Sequence, residues 1–150
     1  MECFKSLFQP KGVAVIGSAT EGKLGNVLLH RLVEGGFAKV YAVNPKAKGI
    51  DEVQGFTSVT AIPEKPDLAV IASPAATVKD VLEDCGKAKV KAAVIISSGF
   101  GETGNREGEA EIKAVAEKYG IRFVGPNCAG IMNTHAYLFA SLEETPPTGG

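Results

Sequence analysis

The 150-residue sequence predicts an α/β fold in which helices cover both faces of a doubly wound parallel sheet. Short apolar runs alternate with segments whose apolar residues recur every three or four positions, so strands and helices should alternate along the chain. The strand-like runs are apolar throughout, which is typical of strands that are covered on both faces. The first of them leads directly into a glycine-rich turn. Together these patterns indicate a single Rossmann-like domain.

Five main strands are predicted from runs that contain only apolar residues or nearly so. A further short edge strand is expected near Val53, inside an irregular crossover at 48–66 that is rich in glycine and proline. The five main strands are predicted at residues 13–16, 40–43, 68–71, 92–96 and 121–124.

Three helices are predicted between these strands. The first follows the glycine-rich turn and ends at 35–36, where two glycines stop the helical pattern. The second is predicted to begin with Ser73 as its N-cap and Pro74 in its first turn, and to end at Gly86. The third is predicted to end at Gly120.

Composition and charge narrow the function classes. With 45% hydrophobic and 22% charged residues, the chain has the material for the core of one globular domain. Its formal net charge of −1 provides no overall field that would attract a nucleic acid or an anionic membrane, so we expect neither partner. No segment approaches the roughly 18 continuous apolar residues of a membrane span. We therefore expect a cytoplasmic protein.

The three cysteines, Cys3, Cys85 and Cys128, are far apart in the sequence and form no C-x-x-C pair. This spacing argues against a disulfide framework and against a zinc site, and no metal ligands are predicted. We interpret all three as reduced thiols. Cys85 falls on the apolar face of the second helix and is predicted to be a small core residue. Cys128 lies in a glycine–proline loop and stays open as a site residue.

The turn after the first strand predicts a site for a nucleotide phosphate. The strand ends at Gly17, and the following helix aims its N-terminus at the gap, where backbone N–H groups can bind an anion. The dinucleotide motif G-x-G-x-x-G is incomplete, because Gly17 and Gly22 hold its outer positions and Ala19 stands in the middle. Taken alone, this motif also permits a tight strand-to-helix turn without a ligand.

The end of the second strand discriminates among nucleotides. Asn44-Pro45-Lys46 stands where an acidic residue would bind the ribose 2′-hydroxyl of NAD. A cation at this place suits a phosphorylated ribose better than a free diol. Coenzyme A, with a 3′-phosphate, and NADP, with a 2′-phosphate, both meet this condition, whereas NAD does not.

Five motifs, in order along nearly the whole chain, resemble one known family. They are LFQPKGVAVIG at 7–17, VNPK at 43–46, DLAVIASPA at 67–75, AAVIISSGFGE at 92–102 and GPNC at 125–128. They resemble the N-terminal CoA-binding domain of NDP-forming acyl-CoA synthetases. That family includes the ADP-forming acetyl-CoA synthetases and, more distantly, the α subunit of succinyl-CoA synthetase.

The resemblance implies that the chain binds coenzyme A through loops at the carboxyl ends of its strands. The first loop and the start of the first helix would line the CoA phosphates, and Lys46, or the nearby Lys48, would face the 3′-phosphate. The next two loops would border the adenine or the pantetheine, and the last would face the thioester and phosphohistidine region. In chain order, the implied contacts are Gly17, Ser18, Ala19, Thr20, Lys23, Gly25, Asn26, Asn44, Pro45, Lys46, Ser73, Pro74, Ala75, Ser97, Ser98, Gly99, Asn127 and Cys128.

The resemblance also implies a division of labour among domains. In that family a second domain carries a histidine that is transiently phosphorylated, and an ATP-grasp domain or subunit exchanges the phosphate with ADP. We expect residues 1–144 to form the CoA-binding domain and residues 145–150 to be a linker towards a second domain. The expected partners are CoA or acyl-CoA and these two further modules. The chain alone should have no catalytic residue, although it would be part of an ADP-forming acetate–CoA ligase.

Neither histidine of this chain is expected to replace the phosphorylated one. His30 falls on the polar side of the first helix and should be solvated, and His135 follows the last loop without an evident acidic partner. Two other functions stay open. One is the nucleotide domain of an NADP-dependent oxidoreductase, which the glycine turn and Lys46 permit although no Tyr, Lys and Ser constellation is present. The other is a free-standing CoA-binding regulatory module, which the short chain permits.

Overall fold

The computed structural model describes the backbone of residues 2–142 and the side chains of residues 5–142. The main sheet has six strands, all of them parallel. They are β1 (Val13–Ile16), β2 (Val40–Val43), β3 (Gly55–Phe56), β4 (Leu68–Ile71), β5 (Ala92–Ile95) and β6 (Arg122–Val124). Their order in the sheet is β3-β2-β1-β4-β5-β6, so the strand order reverses between β1 and β4. The predicted doubly wound α/β fold is confirmed.

Helices cover both faces of this sheet. The four α-helices are α1 (Glu2–Phe8), α2 (Leu24–Glu34), α3 (Ala75–Lys87) and α4 (Arg106–Tyr119). On one face, α3 and α4 pack over a core that includes Leu82 and Ile112. On the other, α1 and α2 share a second core with an antiparallel hairpin of β7 (Gly130–Asn133) and β8 (Leu138–Ser141).

Continuous apolar runs form the centre of the sheet because those strands are covered on both sides. Every residue of β1, β4 and β5 is buried. The register aligns Ile16 with both Val43 and Ile71, and Ile71 with Ile95. The carboxyl ends of four neighbouring strands therefore lie at the same edge, and the loops that follow them must meet there.

The short edge strand expected near Val53 lies at Gly55–Phe56, and Val53 itself forms only an isolated bridge with Ile50. Two details of α3 differ from the prediction. The N-cap of α3 is Pro74, not Ser73, and no side chain caps this helix. Pro74 has the extended ψ of 144° that an N-cap residue adopts, so the helix starts one residue later than predicted. It also continues one residue past Gly86.

The sequence analysis missed α1 and the β7–β8 hairpin. These two elements are joined by a hydrogen bond in which the Asn133 side-chain amide donates to the carbonyl of Phe8 at 2.7 Å. Leu138 and Ala140 of β8 are fully buried beside α2, so the hairpin completes the core on that face. The predicted linker at 145–150 lies outside the described residues.

The isolated polar side chains agree with their predicted roles. Cys85 is buried in the core, and this burial raises the pKa of its thiol to about 12. His30 is exposed on α2. Within residues 2–142, no helix is both long enough and apolar enough to cross a membrane.

The buried face of α3 should dominate the stability of its layer. Leu82→Ala removes a fully buried side chain and should lower the free energy of unfolding by about 2–5 kcal/mol. Leu24→Ala is the matched control, because Leu24 is 45% exposed and its loss should cost about 0.5 kcal/mol or less. Urea denaturation followed by circular dichroism measures both. Equal losses would show that α3 is not packed as described.

Candidate functional site

The candidate site lies where the strand order reverses. After β1 the chain enters α2 on one face of the sheet, and after β4 it enters α3 on the opposite face, so a crevice opens between the two strand ends. A pocket of about 330 Å³ occupies this crevice. Its lining residues are Ile16, Gly17, Ser18, Ala19, Thr20, Val43, Asn44, Pro45, Lys46, Lys48, Ser73, Pro74, Thr77 and Val81.

The glycine-rich turn lies directly under the start of α2. A Cβ atom added at Gly25 would overlap the carbonyl oxygen of Ser18, so only glycine lets the helix approach the turn this closely. Gly22, which holds the last position of the motif, has a φ of +86° and open space around it. The glycine that allows close packing is therefore Gly25, three residues after the motif. Asn26 supports the same turn, because its side-chain amide donates to the carbonyl of Ala19 at 3.0 Å.

Two helices point uncapped N-termini at the crevice. Lys23 is the N-cap of α2 and Pro74 that of α3, and neither helix has a side-chain cap among the described residues. By contrast, α4 starts away from this crevice, and the Asn105 side chain accepts a hydrogen bond from the N–H of Gly108 at 3.0 Å. The uncapped N–H groups and the partial positive charge of two helix ends favour an anion between them.

Two lysines border the pocket from the turn that follows β2. Lys46 and Lys48 are both exposed, and neither forms an ion pair with any residue in the described range. Asn44, which was predicted as a ligand contact, is buried. Both polar atoms of its side chain bond to the backbone of Lys48, so Asn44 supports the turn and the lysines carry the free charge.

Two pocket residues on α3 were not predicted. Thr77 and Val81 are four residues apart on this helix and both face the pocket. The Thr77 hydroxyl donates to the carbonyl of Pro74 at 2.6 Å and lies 2.9 Å from the hydroxyl of Ser73. Val81 is half-buried, because it also packs against the core on the other side. The i, i+4 spacing from the helix start could have revealed this pair.

A second hollow, of about 460 Å³, continues the crevice towards β5. It shares Ser18, Ser73 and Pro74 with the first pocket and extends to Ser97 and Ser98. The buried hydroxyl of Ser97 donates to the carbonyl of Ser73 at 2.5 Å, which ties the loop after β5 to the loop after β4. The other residues that line this second hollow are Lys23, Leu24, Gly25, Ala72 and Ala75.

The last predicted contacts line neither hollow of the crevice, although the N–H of Asn127 donates to the carbonyl of Ser97 at 3.0 Å. Asn127 lines a separate hollow of about 320 Å³ beside Glu102 and Glu109. Cys128 lines none of the hollows described above, and its thiol donates to the carbonyl of Ile95 at 3.3 Å. The structure therefore brings most of the predicted residues together around the crevice, and the loop of Asn127 and Cys128 is bonded to the end of β5 and to the loop that follows it.

Glu102 supports the loop after β5 and was not among the predicted residues. Its carboxylate accepts hydrogen bonds from the N–H groups of Gly99 and of Phe100, the latter at 3.1 Å. These backbone donors, with Gly99 first, hold the pKa of Glu102 below its usual value of 4.5. Gly99, a predicted contact, thus has its N–H engaged by Glu102.

Among the described residues, no group of three or more His, Cys, Asp or Glu side chains could hold a metal ion.

Comparison with known proteins decides the family. Residues 11–134 match the family CoA_binding_2, which is described as a CoA binding domain. This chain belongs to that CoA-binding domain family. The resemblance predicted from the five motifs is confirmed.

The CoA-binding domain is similar to parts of larger enzymes. It is 47% identical over 148 residues to an ADP-forming acetate–CoA ligase of Methanocaldococcus jannaschii, an alignment that covers 97% of this chain and 21% of the relative. It is 46% identical over 138 residues to the α subunit of ADP-forming acetate–CoA ligase II of Pyrococcus furiosus, which covers 90% of this chain and 30% of the relative.

A solved structure has nearly the same fold. This is the dinucleotide-forming acetyl-coenzyme A synthetase 1 of Ca. Korarchaeum cryptofilum, in complex with phosphate and ADP. It superposes with a TM-score of 0.89 at 41% identity, over 94% of this chain and 31% of that one. The CoA-binding domain thus spans between 21% and 31% of the length of these three relatives.

The Glu102 contacts predict a pH dependence. A carboxyl group whose pKa is lowered on folding stabilises its loop above the usual pKa and loses this effect as the pH falls through the lowered value. The amide proton shifts of Gly99 and Phe100, followed by NMR, should therefore move together with a midpoint below 4.5. Glu102→Gln should abolish this transition, whereas Glu107→Gln on α4 should leave it in place. A midpoint at or above 4.5 would contradict the assignment.

Proposed function

We propose that this domain binds coenzyme A in the crevice between β1 and β4, as the CoA-binding part of an ADP-forming acetate–CoA ligase. One observation carries the proposal for this site: two helix N-termini without a side-chain cap border the same crevice as Lys46 and Lys48, which have no ion-pair partner among residues 5–142. CoA carries a pyrophosphate and a separate ribose phosphate, so it needs anion sites at two places along one groove. Family membership and the names of the relatives support CoA over other phosphorylated nucleotides.

The proposal orients the ligand along the crevice. The pyrophosphate lies at the N-termini of α2 and α3, and the 3′-phosphate lies at Lys46 and Lys48. The adenosine then occupies the pocket of about 330 Å³, against Val43 and Val81. The pantetheine arm runs through the second hollow towards Ser98, because that hollow opens from the first one on the side of β5. The thiol end therefore leaves the domain near the loop after β5.

The phosphoryl-transfer chemistry belongs to other modules in this proposal. His30 lies exposed on α2 and His135 lies exposed in a short turn at 134–136, and neither borders either hollow of the crevice. The domain positions CoA or acyl-CoA. A phosphohistidine-bearing domain and an ATP-grasp domain or subunit carry out the phosphoryl transfer that proceeds through the acyl phosphate. Its cytoplasmic location stays a prediction.

The binding proposal predicts an order of affinities. CoA should bind with a Kd of micromolar order and more tightly than dephospho-CoA, because only CoA presents a phosphate to Lys46 and Lys48. Lys46→Ala should weaken the binding of CoA by about 1.5–3 kcal/mol, the free energy of one charge-assisted contact. It should leave the binding of dephospho-CoA nearly unchanged. Titration calorimetry with CoA, dephospho-CoA, NADP and NAD measures these constants.

Lys48→Ala is the matched variant, since both lysines stand on the same turn. If Lys48→Ala alone reproduces the selective loss, the 3′-phosphate contact belongs to Lys48. An equal loss for CoA and dephospho-CoA would place the affected lysine at the pyrophosphate instead. Tighter binding of NAD or NADP than of CoA would overturn the proposed function.

The division of labour predicts that the isolated chain is inactive. With acetate, CoA and ATP, it should make no acetyl-CoA, because neither described histidine, His30 or His135, lines the crevice. Activity should appear when the phosphohistidine-bearing domain and the ATP-grasp module are supplied in cis or in trans. Incubation with radiolabelled ATP should leave this chain unlabelled. Stoichiometric labelling of His30 or His135 would make the domain a catalyst in its own right and contradict the proposal.

A further inference from the structure

The turn that carries both pocket lysines is held by a buried amide. Asn44 is only 6% exposed. Its side-chain nitrogen donates to the carbonyl of Lys48 at 2.8 Å, and its side-chain oxygen accepts from the N–H of Lys48 at 3.0 Å. Its backbone N–H donates to the carbonyl of Phe56 in β3 at 3.0 Å, and its own carbonyl accepts from the N–H of Ala47 at 2.9 Å. Every polar group of Asn44 is therefore engaged in holding the backbone around Lys46 and Lys48.

The same turn is pressed against β3 from the other side. A Cβ atom added at Gly55 would overlap the carbonyl group of Ala47 and crowd the backbone of Lys48. Ala47 itself has a φ of +52°, a left-handed conformation that residues other than glycine rarely adopt. The missing side chain at Gly55 is what allows the turn to approach the edge strand. The turn is thus confined between Asn44 and Gly55.

This confinement matters because the two lysine side chains are long, exposed and without ion-pair partners among residues 5–142. A cation on a mobile loop must be ordered when it binds a phosphate, and this ordering reduces the affinity. A backbone that is already fixed leaves only the side-chain rotamers to be ordered. Preorganisation of the turn should therefore strengthen the contact to the ribose phosphate and have little effect on the rest of the ligand.

We propose that Asn44 and Gly55 are positioning residues that fix the turn carrying Lys46 and Lys48, and so set the preference of the pocket for a phosphorylated ribose. This inference rests on the proposed function, since it concerns how the same crevice selects CoA. Neither residue touches the phosphate itself. Both act through the backbone of the turn.

The test compares CoA with dephospho-CoA on the full 150-residue chain. Asn44→Ala should weaken the binding of CoA about tenfold, close to the lower limit for one charge-assisted contact, while the Kd of dephospho-CoA changes by less than about twofold. Gly55→Ala should cause the same selective loss from the opposite side of the turn. Asn133→Ala is the matched control, because the hydrogen bond from the Asn133 side chain to Phe8 lies away from the crevice. This variant should leave the Kd values of CoA and dephospho-CoA unchanged.

A double-mutant cycle separates positioning from general support. In a Lys46→Ala/Lys48→Ala background, adding Asn44→Ala should cause no further loss of CoA affinity, because the group that Asn44 positions is already gone. If Asn44 had a purely structural role, Asn44→Ala would weaken the binding of CoA by the same factor in the double-lysine variant as in the unaltered chain. Such additivity would overturn the inference.

The remaining outcomes distinguish the inference from the proposed function. If the unaltered chain binds neither CoA nor dephospho-CoA, the proposed function fails. If it binds and prefers CoA, but Asn44→Ala and Gly55→Ala keep that preference, only the positioning role fails. Loss of dephospho-CoA binding in both variants, including loss through unfolding, would show that the two residues support the whole pocket, and this also overturns the inference.

Discussion

The reversal of strand order between β1 and β4 is the constraint on which the rest of the site depends. Because β1 continues into α2 and β4 into α3 on opposite faces, the two helices diverge and leave a gap between their starts. The backbone N–H groups at one helix start cannot accept hydrogen bonds from those at the other, and neither helix has a side-chain cap in the described part of the chain. The parallel register keeps the strand ends level, so the neighbouring loops border the same gap. The crevice between the two helix starts thus follows from the topology.

Polar side chains around this gap mostly support the backbone. Asn26 bonds to the glycine turn, Asn44 to the lysine turn and Ser97 to the loop after β4. Glu102 binds the backbone of its own loop in the same way. The groups left for a ligand include backbone N–H donors, apolar side chains, hydroxyls such as that of Ser98, and the ammonium groups of the lysines. This arrangement suits a long ligand with several phosphates, which is bound at many points along its length.

The main strands and helices could be predicted because their burial leaves a direct pattern in the sequence. A strand such as Leu68–Ile71 is apolar at every position, and Gly120 ends α4 in the left-handed conformation expected of a C-cap glycine. The hairpin was missed because β7 is only half-buried along its whole length and carries no clear alternation. The roles of the site residues were harder to predict. The sequence shows that Asn44 and Cys128 lie in loops, but it does not show which groups their side chains bond to. Their partners, Lys48 and Ile95, are set by the tertiary structure.

The central claim is that the crevice between β1 and β4, rather than another hollow of the domain, binds CoA. An NMR titration of the ¹⁵N-labelled chain with CoA tests it most directly. We expect the largest amide shift changes at the two helix starts, at Leu24, Gly25, Ala75 and Ala76, because those N–H groups gain the pyrophosphate as an acceptor. Unchanged signals there, together with large changes in the hollow around Gly101 and Asn127, would contradict it.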